Sequence, residues 1–249
     1  MTRTTKITLI IVGAVLLAIL VIVANVARNH MQVRDLEVVL DYGDMPHLVS
    51  EATVADSVMK ALPDLKARQV KSVPCDRVAL AASRVPFVTH VNATVSVSGR
   101  VVVRATQRKP VARLFYGNGE YLIDAEGAVL PLSRMGDCDI LIAGGDFTEP
   151  LRRDSLNTQV RLLARLAAYL DSHPDYRDLI DQIYIERDCS LFLAPKLGDH
   201  IIELGDLSRL DEKFANLLAF YRRGMPRAGW NTYSKISLRF KDQVVCTRK

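Results

Sequence analysis

The chain has 249 residues, 49% of them apolar, with a formal net charge of +5 and four cysteines. That is too apolar for a disordered chain and long enough for one or two domains. Much of this modest net charge is accounted for by Arg3, Lys6, Arg28 and Arg34 near the N-terminus and by Arg239, Lys241, Arg248 and Lys249 at the end. It forms no stripe interleaved with aromatic residues, so a nucleic-acid surface is not expected.

The first predicted element is Ile7–Ala27, ITLIIVGAVLLAILVIVANVA, which carries no charge. It is long enough to cross roughly 30 Å of hydrocarbon as a helix. A cleaved signal peptide fits less well, because its apolar core would span only about 7–15 residues. Asn25 also stands where a small residue should precede a cleavage after Ala27. An uncleaved anchor is therefore expected. Lys and Arg flank both sides, so their bias does not decide the orientation. A leader of residues 1–6 is expected to stay in the cytosol, which sends the chain from Arg28 onward across the membrane.

Beyond the anchor, Val33–Val39 reads as a strand. Thr53-Val-Ala-Asp56 resembles a capping box opening a helix, with Val54, Val58, Ala61 and Leu62 as its apolar stripe and Pro63 as its stop. A second helix is expected from Pro74, with Val78, Ala81, Ala82 and Val85 on one face. Then Val91, Ala93, Val95 and Val97 alternate with Asn92, Thr94 and Ser96, Ser98-Gly99 turns the chain, and RVVVRATQ returns. The order strand, helix, helix, strand, strand describes a small α+β unit with helices on one face of a sheet.

Pro110 marks the boundary to a second unit. ARLFY and EYLID flank Asn118-Gly119, a hairpin signal, and Glu126-Gly127 turns into AVLPL. Asp139–Ala143 reads as a further strand, and Gly144-Gly145 as a turn. Leu156–Leu170 is an amphipathic helix with Val160, Leu163, Leu166, Ala167 and Leu170 on one side. Strands follow at Gln182–Glu186, Ser190–Ala194 and His200–Leu204. A last helix, Leu210–Arg222, turns Leu210, Phe214, Leu217, Leu218 and Tyr221 inward. The chain closes on KISLRFKDQVVCTRK, two short strands about a Lys241-Asp242 turn. The second of them, Gln243–Thr247, has no later element to cover its edge. Val244 and Cys246 share one face of it, Val245 and Thr247 the other. An edge is a row of unpaired N–H and C=O groups, and Lys241, Arg248 and Lys249 are the residues that would protect it.

Little here points to chemistry. Ser57-Val-Met-Lys60 matches a serine-nucleophile motif, but its Ser-Asp-Asn and Lys-Thr-Gly companions are absent, and so is Gly-x-Ser-x-Gly. His30, His47, His90, His173 and His200 show no metal-ligand spacing, and His90 and His200 fall on predicted strands as packing or surface residues. Cys75, Cys138, Cys189 and Cys246 have no Cys-x-x-Cys spacing and are expected as small free side chains, although disulfides could form beyond the membrane. Asp137 and Asp139 flank Cys138, and Asp199 precedes His200, but such pairs are common in loops. No catalytic residue, cofactor or metal site is expected.

Three stretches carry a family resemblance. Val95–Leu132, VSVSGRVVVRATQRKPVARLFYGNGEYLIDAEGAVLPL, holds a strand, turn and strand, then Pro-Val-Ala, then Ile-Asp before Gly. Ile202–Tyr221, IELGDLSRLDEKFANLLAFY, holds a Leu-Gly turn before a Lys-containing helix, and GWNTYSKISLRFKDQVVCTRK closes the chain. In order and spacing these resemble FtsQ/DivIB, the bitopic cell-division proteins of bacteria. Many relatives carry Glu where Gln107 stands. The resemblance implies a cytoplasmic leader (1–6), a transmembrane helix (7–27), a POTRA domain (28–109) of β-α-α-β-β order and a mainly antiparallel β-domain (110–249) backed by two helices. The fold class is thus α+β. It further implies a non-enzymatic scaffold in the inner (plasma) membrane at the septum, single-pass and type II, with its domains periplasmic. Such a scaffold holds FtsB-like and FtsL-like bitopic coiled-coil proteins, with no small-molecule substrate, chiefly by adding a partner strand to the terminal strand. Phe240, Gln243, Val244, Val245, Cys246 and Thr247 are the implied contact residues. Phe240 stands where relatives carry a tyrosine. An anchored extracytoplasmic enzyme and a POTRA-bearing transport or assembly protein are the alternatives.

Overall fold

The structure, a computed structural model, describes residues 12–23, 31–132, 140–151 and 157–249. It is mixed α+β, with seven helices among the described residues. A helix, α1, covers residues 12–23, and the rest of the expected span 7–27 lies outside the described residues. Among the described residues no helix is long and apolar enough to cross a membrane. The large side chains of α1, such as Leu16, Leu20 and Ile22, are all exposed.

The chain divides into two compact units, Met1–Arg108 and Lys109–Lys249. In the first, β1 (Asp35–Asp41) is followed by α2 (Glu51–Ala61), two short 3-10 turns, α3 (Cys75–Ser83), β2 (Val88–Val95) and β3 (Arg100–Gln107). The sheet order is β1-β3-β2, with β1 parallel to β3 and β2 antiparallel to it. The expected strand Val33–Val39 starts two residues late. Val33 N–H is bonded to Arg68 O and Arg34 N–H to Gly99 O, which takes both out of the ladder. Helix α2 starts before the expected Thr53, because Ser50 caps it by accepting the Thr53 N–H at 3.2 Å. Pro74 is itself the cap of α3, and Val78, Ala81, Ala82 and Val85 are buried as expected. His90 sits at φ +49 within a bulge of β2, with its side chain exposed.

Gln107 fastens the end of β3. Its side chain is buried, its Oε1 accepts from Leu48 N–H at 2.7 Å and Val49 N–H at 3.4 Å, and its Nε2 donates to Pro46 O at 2.9 Å. The amide supplies a donor as well as an acceptor, which an ionised glutamate at this position cannot do.

The second unit is one nine-stranded sheet, order β12-β11-β10-β9-β8-β7-β4-β5-β6. Its strands are β4 (Pro110–Tyr116), β5 (Gly119–Asp124), β6 (Val129–Pro131), β7 (Leu141–Gly145), β8 (Ile180–Ile185), β9 (Leu191–Pro195), β10 (Ile201–Gly205), β11 (Tyr233–Ser237) and β12 (Val245–Arg248). Five of the eight neighbouring pairs are antiparallel; β4/β7, β7/β8 and β10/β11 are parallel. One row of directly paired residues crosses seven strands: Leu114, Ala143, Ile183, Leu193, Ile202, Ile236 and Cys246. That row, with its neighbours two residues away, makes the sheet's inner face. Helices α4 (Thr158–Asp171) and α6 (Leu210–Arg223) bury Leu163, Leu166, Leu170, Phe214, Leu217 and Tyr221 in the same core.

Among the described residues four helices, not two, accompany this sheet. The additional α5 (Pro174–Arg177) and α7 (Met225–Ala228) are single turns carrying proline in their first positions, so their sequences look like breaks. The first hairpin turns on Gly117-Asn118 rather than Asn118-Gly119, with Gly117 at φ +55. Gly144-Gly145 is not a turn but the end of β7, which runs two residues beyond the expected Ala143. A Cβ on Gly145 would overlap the Ile185 carbonyl, so β7 and β8 lie close only because the residue is glycine. Asp139 and Leu156 lie outside the described residues, as do Asp137, Cys138 and His30.

Candidate functional site

Strand β11 returns from α6 to lie parallel to β10, pairing Ile201 with Lys235, Ile202 with Ile236 and Glu203 with Ser237. Strand β12 then pairs antiparallel to β11, from Ser237 with Val245 to Tyr233 with Arg248. Between them runs a loop over residues 238–244. Gln243 and Val244 were expected on the strand but lie in this loop. Leu238 N–H bonds back to Glu203 O, Arg239 O accepts from Arg209 Nη2, and Asp242 N–H donates to Glu212 Oε1. Those backbone groups are therefore unavailable to a longer hairpin ladder. Asp242, at φ +55, makes the reversal near the expected Lys241-Asp242 turn.

The strand itself keeps the expected alternation. Val244 and Cys246 are half-buried against the core, while Val245, 42% exposed, and Thr247 face out. Burial pushes the Cys246 thiol up from its ordinary value. Phe240 is 54% exposed at the tip of the loop, and Gln243 is exposed beside it. The six expected residues thus fall on one edge, with Phe240, Gln243, Val245 and Thr247 open to solvent.

The two ends of the sheet differ. At one, β6 has three residues and finishes in Pro131, which blunts it. At the other, β12 has no neighbour on its outer side among the described residues. Lys249 N–H is bonded to Thr232 O on the β11 side. By the two-residue alternation of a strand, the N–H groups of Val245 and Thr247 also face β11, and those of Cys246 and Arg248 face outward. The edge therefore offers its own donors and acceptors to an added strand. The Lys249 ammonium is 2.6 Å from Asp199, and that pairing lowers the Asp199 carboxyl below its ordinary value.

Polar residues that the apolar pattern conceals hold the edge in place. Lys213, 3% exposed on the inner side of α6, donates to Leu204 O at 3.0 Å, Asp206 O at 2.8 Å and Asp206 Oδ1 at 2.8 Å. The Lys213 bond, with a second from Ser208, holds the Asp206 carboxyl far below its usual range. Its spacing was the available signal: Lys213 stands three residues after Leu210 and four before Leu217. A cleft of about 390 Å³ opens beside it, lined in part by Cys189, Ser190, Asp206, Lys213 and Arg239. All three ammonium donors of Lys213 are in use, so the residue anchors the end of β10 rather than presenting a reactive amine to the cleft.

His200 is buried as well, with Nε2 2.6 Å from the Tyr221 hydroxyl, and its Nδ1 has no hydrogen-bond partner among the described residues. Burial lowers its pKa, opposed by Asp199 and reinforced by Lys249. The fold therefore favours neutral imidazole. Above the unfolded value of about 6.5 both states are neutral and nothing is lost; below it the unfolded chain takes up a proton that the folded chain resists. Urea melts of the chain are expected to show stability falling from pH 7 to pH 5, with His200 contributing at most about 1.4 kcal/mol per pH unit. His200→Phe should remove that part of the slope. An unchanged slope would show that His200 is not the group responsible.

The remaining candidates do not converge on chemistry. The Ser57 hydroxyl donates to Ala81 O at 2.9 Å, joining α2 to α3, and Lys60 is exposed. His47 stacks on Tyr42, and His173 on Tyr169. Cys75, Cys189 and Cys246 are free and half-buried. Among the described residues no group of three or more His, Cys, Asp or Glu side chains could hold a metal ion.

No curated protein matches the chain. Residues 109–247, from the start of the second unit to Thr247 of β12, match the family model described as FtsQ/DivIB, C-terminal related.

Proposed function

Because the chain belongs to the FtsQ/DivIB family, whose members are scaffold proteins of cell division, we propose that it is a bitopic division scaffold that recruits FtsB-like and FtsL-like coiled-coil proteins by strand addition to β12. The observation that carries this reading is the open outer side of β12, at the end of the nine-stranded sheet that the family match covers. Ladder bonds from Cys246 and Arg248 supply affinity, and the exposed side chains of Val245, Thr247 and Phe240 supply specificity. Phe240 keeps a ring for this contact without the hydroxyl of its relatives' tyrosine.

The same reading anchors the chain in the inner membrane through Ile7–Ala27, with the first unit a POTRA domain and both units periplasmic. The charge-free run supports the anchor, as does α1, whose exposed apolar side chains surround the helix. The scaffold works without catalysis or a cofactor.

In-cell photo-crosslinking tests this directly. A photoreactive residue at Val245, which faces out, should capture a small bitopic coiled-coil protein, identified by mass spectrometry. The same probe at exposed Lys60 should not. No capture at Val245, or equal capture at both positions, would reject β12 as the docking edge.

A further inference from the structure

The first turn of α6 does more than start a helix. Asp211 accepts the Tyr169 hydroxyl of α4 at 2.6 Å, and Lys213 grips the end of β10. Glu212, between them, turns to the loop before β12. Its Oε1 accepts the Asp242 N–H at 3.1 Å and the Arg209 Nη1 at 3.1 Å. Arg209 in turn donates from Nη2 to Arg239 O at 3.2 Å. The pair therefore holds the loop at two backbone points, Arg239 on one side of Phe240-Lys241 and Asp242 on the other. The tip residue Phe240 is bracketed and kept outside, and β12 starts three residues after the second point.

The conformations support this assignment. Arg209 caps α6 at φ +53 yet makes no side-chain capping bond to its helix. A non-glycine residue in the left-handed region is strained and persists only where its surroundings hold it. Here its guanidinium is used on Glu212 and on the loop instead. Asp242 is left-handed too, at φ +55, and its N–H is the group that Glu212 accepts. The planar fork of Arg209 reaches a carboxylate and a carbonyl at once, which a lysine ammonium on a flexible stem does less well.

We propose that Arg209 and Glu212 are positioning residues for partner docking, forming a clamp that presents Phe240 and sets where β12 begins. This rests on β12 being the docking edge. They act through the loop, before the partner arrives, by limiting the conformations that an incoming strand must otherwise select.

The test has two independent readouts on the full chain. Hydrogen exchange of the unbound protein reports the clamp, and photo-crosslinking from Val245 in cells reports docking. Glu212→Ala should speed exchange of the Asp242 amide about tenfold, the loss of one hydrogen bond to a charged acceptor, and lower capture by a similar factor. Glu212→Gln keeps an Oε1 acceptor and should restore both to within about twofold of wild type. Arg209→Ala should resemble Glu212→Ala, and the double variant should be little worse than either, because both act on one loop. Unchanged melting temperatures would confirm that the variants fold. Unaltered Asp242 exchange in Glu212→Ala would overturn the clamp, whatever the partner. Equal loss of capture in Glu212→Ala and Glu212→Gln would overturn the positioning role. Faster exchange in Glu212→Ala, with no capture by the wild-type chain, would reject instead the docking edge on which the proposal rests.

Discussion

Cys246→Pro is expected to cut partner capture from Val245 by at least tenfold while leaving the second unit folded. The Cys246 N–H faces away from β11, so proline removes a donor from the open edge and none from the β11/β12 ladder. Its ring also stands where an added strand must approach. One lost ladder bond accounts for about 1 kcal/mol, roughly fivefold, and the obstruction adds to it. Proline is tolerated on an edge strand in this orientation. Cys246→Ala separates the two effects. It removes the half-buried thiol but keeps the N–H, and capture should stay within about twofold of wild type. Undiminished capture with a proline at 246 would mean that the partner does not add a strand to β12, even if it binds nearby.

The second large effect is on stability. Lys213→Met is expected to destabilise the second unit by about 2–3 kcal/mol, because it leaves the Leu204 and Asp206 carbonyls without their ammonium donor. For a unit of this size that corresponds to a fall in melting temperature of about 8 °C. Methionine matches lysine in length and fills the buried path of the side chain, so the loss reports the hydrogen bonds rather than a cavity. Lys213→Arg should recover only part of the stability. A planar guanidinium cannot reproduce three bonds that converge on a tetrahedral ammonium. The Asp206 carboxyl should return toward its ordinary value in Lys213→Met, measurable by NMR titration. A melting temperature unchanged in Lys213→Met would show that these bonds are replaced by water at no cost.

The elements that the sequence placed well are those whose pattern is local. Val78, Ala81 and Ala82 on α3 with Val85 just past its end, and Val160, Leu163, Leu166, Ala167 and Leu170 on α4, repeat at helical spacing, and every one is buried. RVVVRATQ is β3 residue for residue. Short pieces were less legible. The helical turns α5 and α7 carry a proline at their first or second position, and Gly144-Gly145 reads as a turn until the close approach of Ile185 is seen. The start of β12 was misplaced by two residues, because the groups that fix it, Arg209 and Glu212, lie some thirty residues earlier.

The sequence by itself determined the α+β class, the alternation that turns Val245 and Thr247 outward, and the terminal residues that resemble a division scaffold. All of these follow from side-chain period and from residue types in order along one stretch of chain. Only the tertiary structure decided that β12 ends the sheet among the described residues, that parallel and antiparallel neighbours mix, and that Lys213 is spent inside while Glu212 beside it holds a distant loop. Strand order and hydrogen-bond partnership are set by contacts between segments far apart in sequence, whose energies no local pattern records.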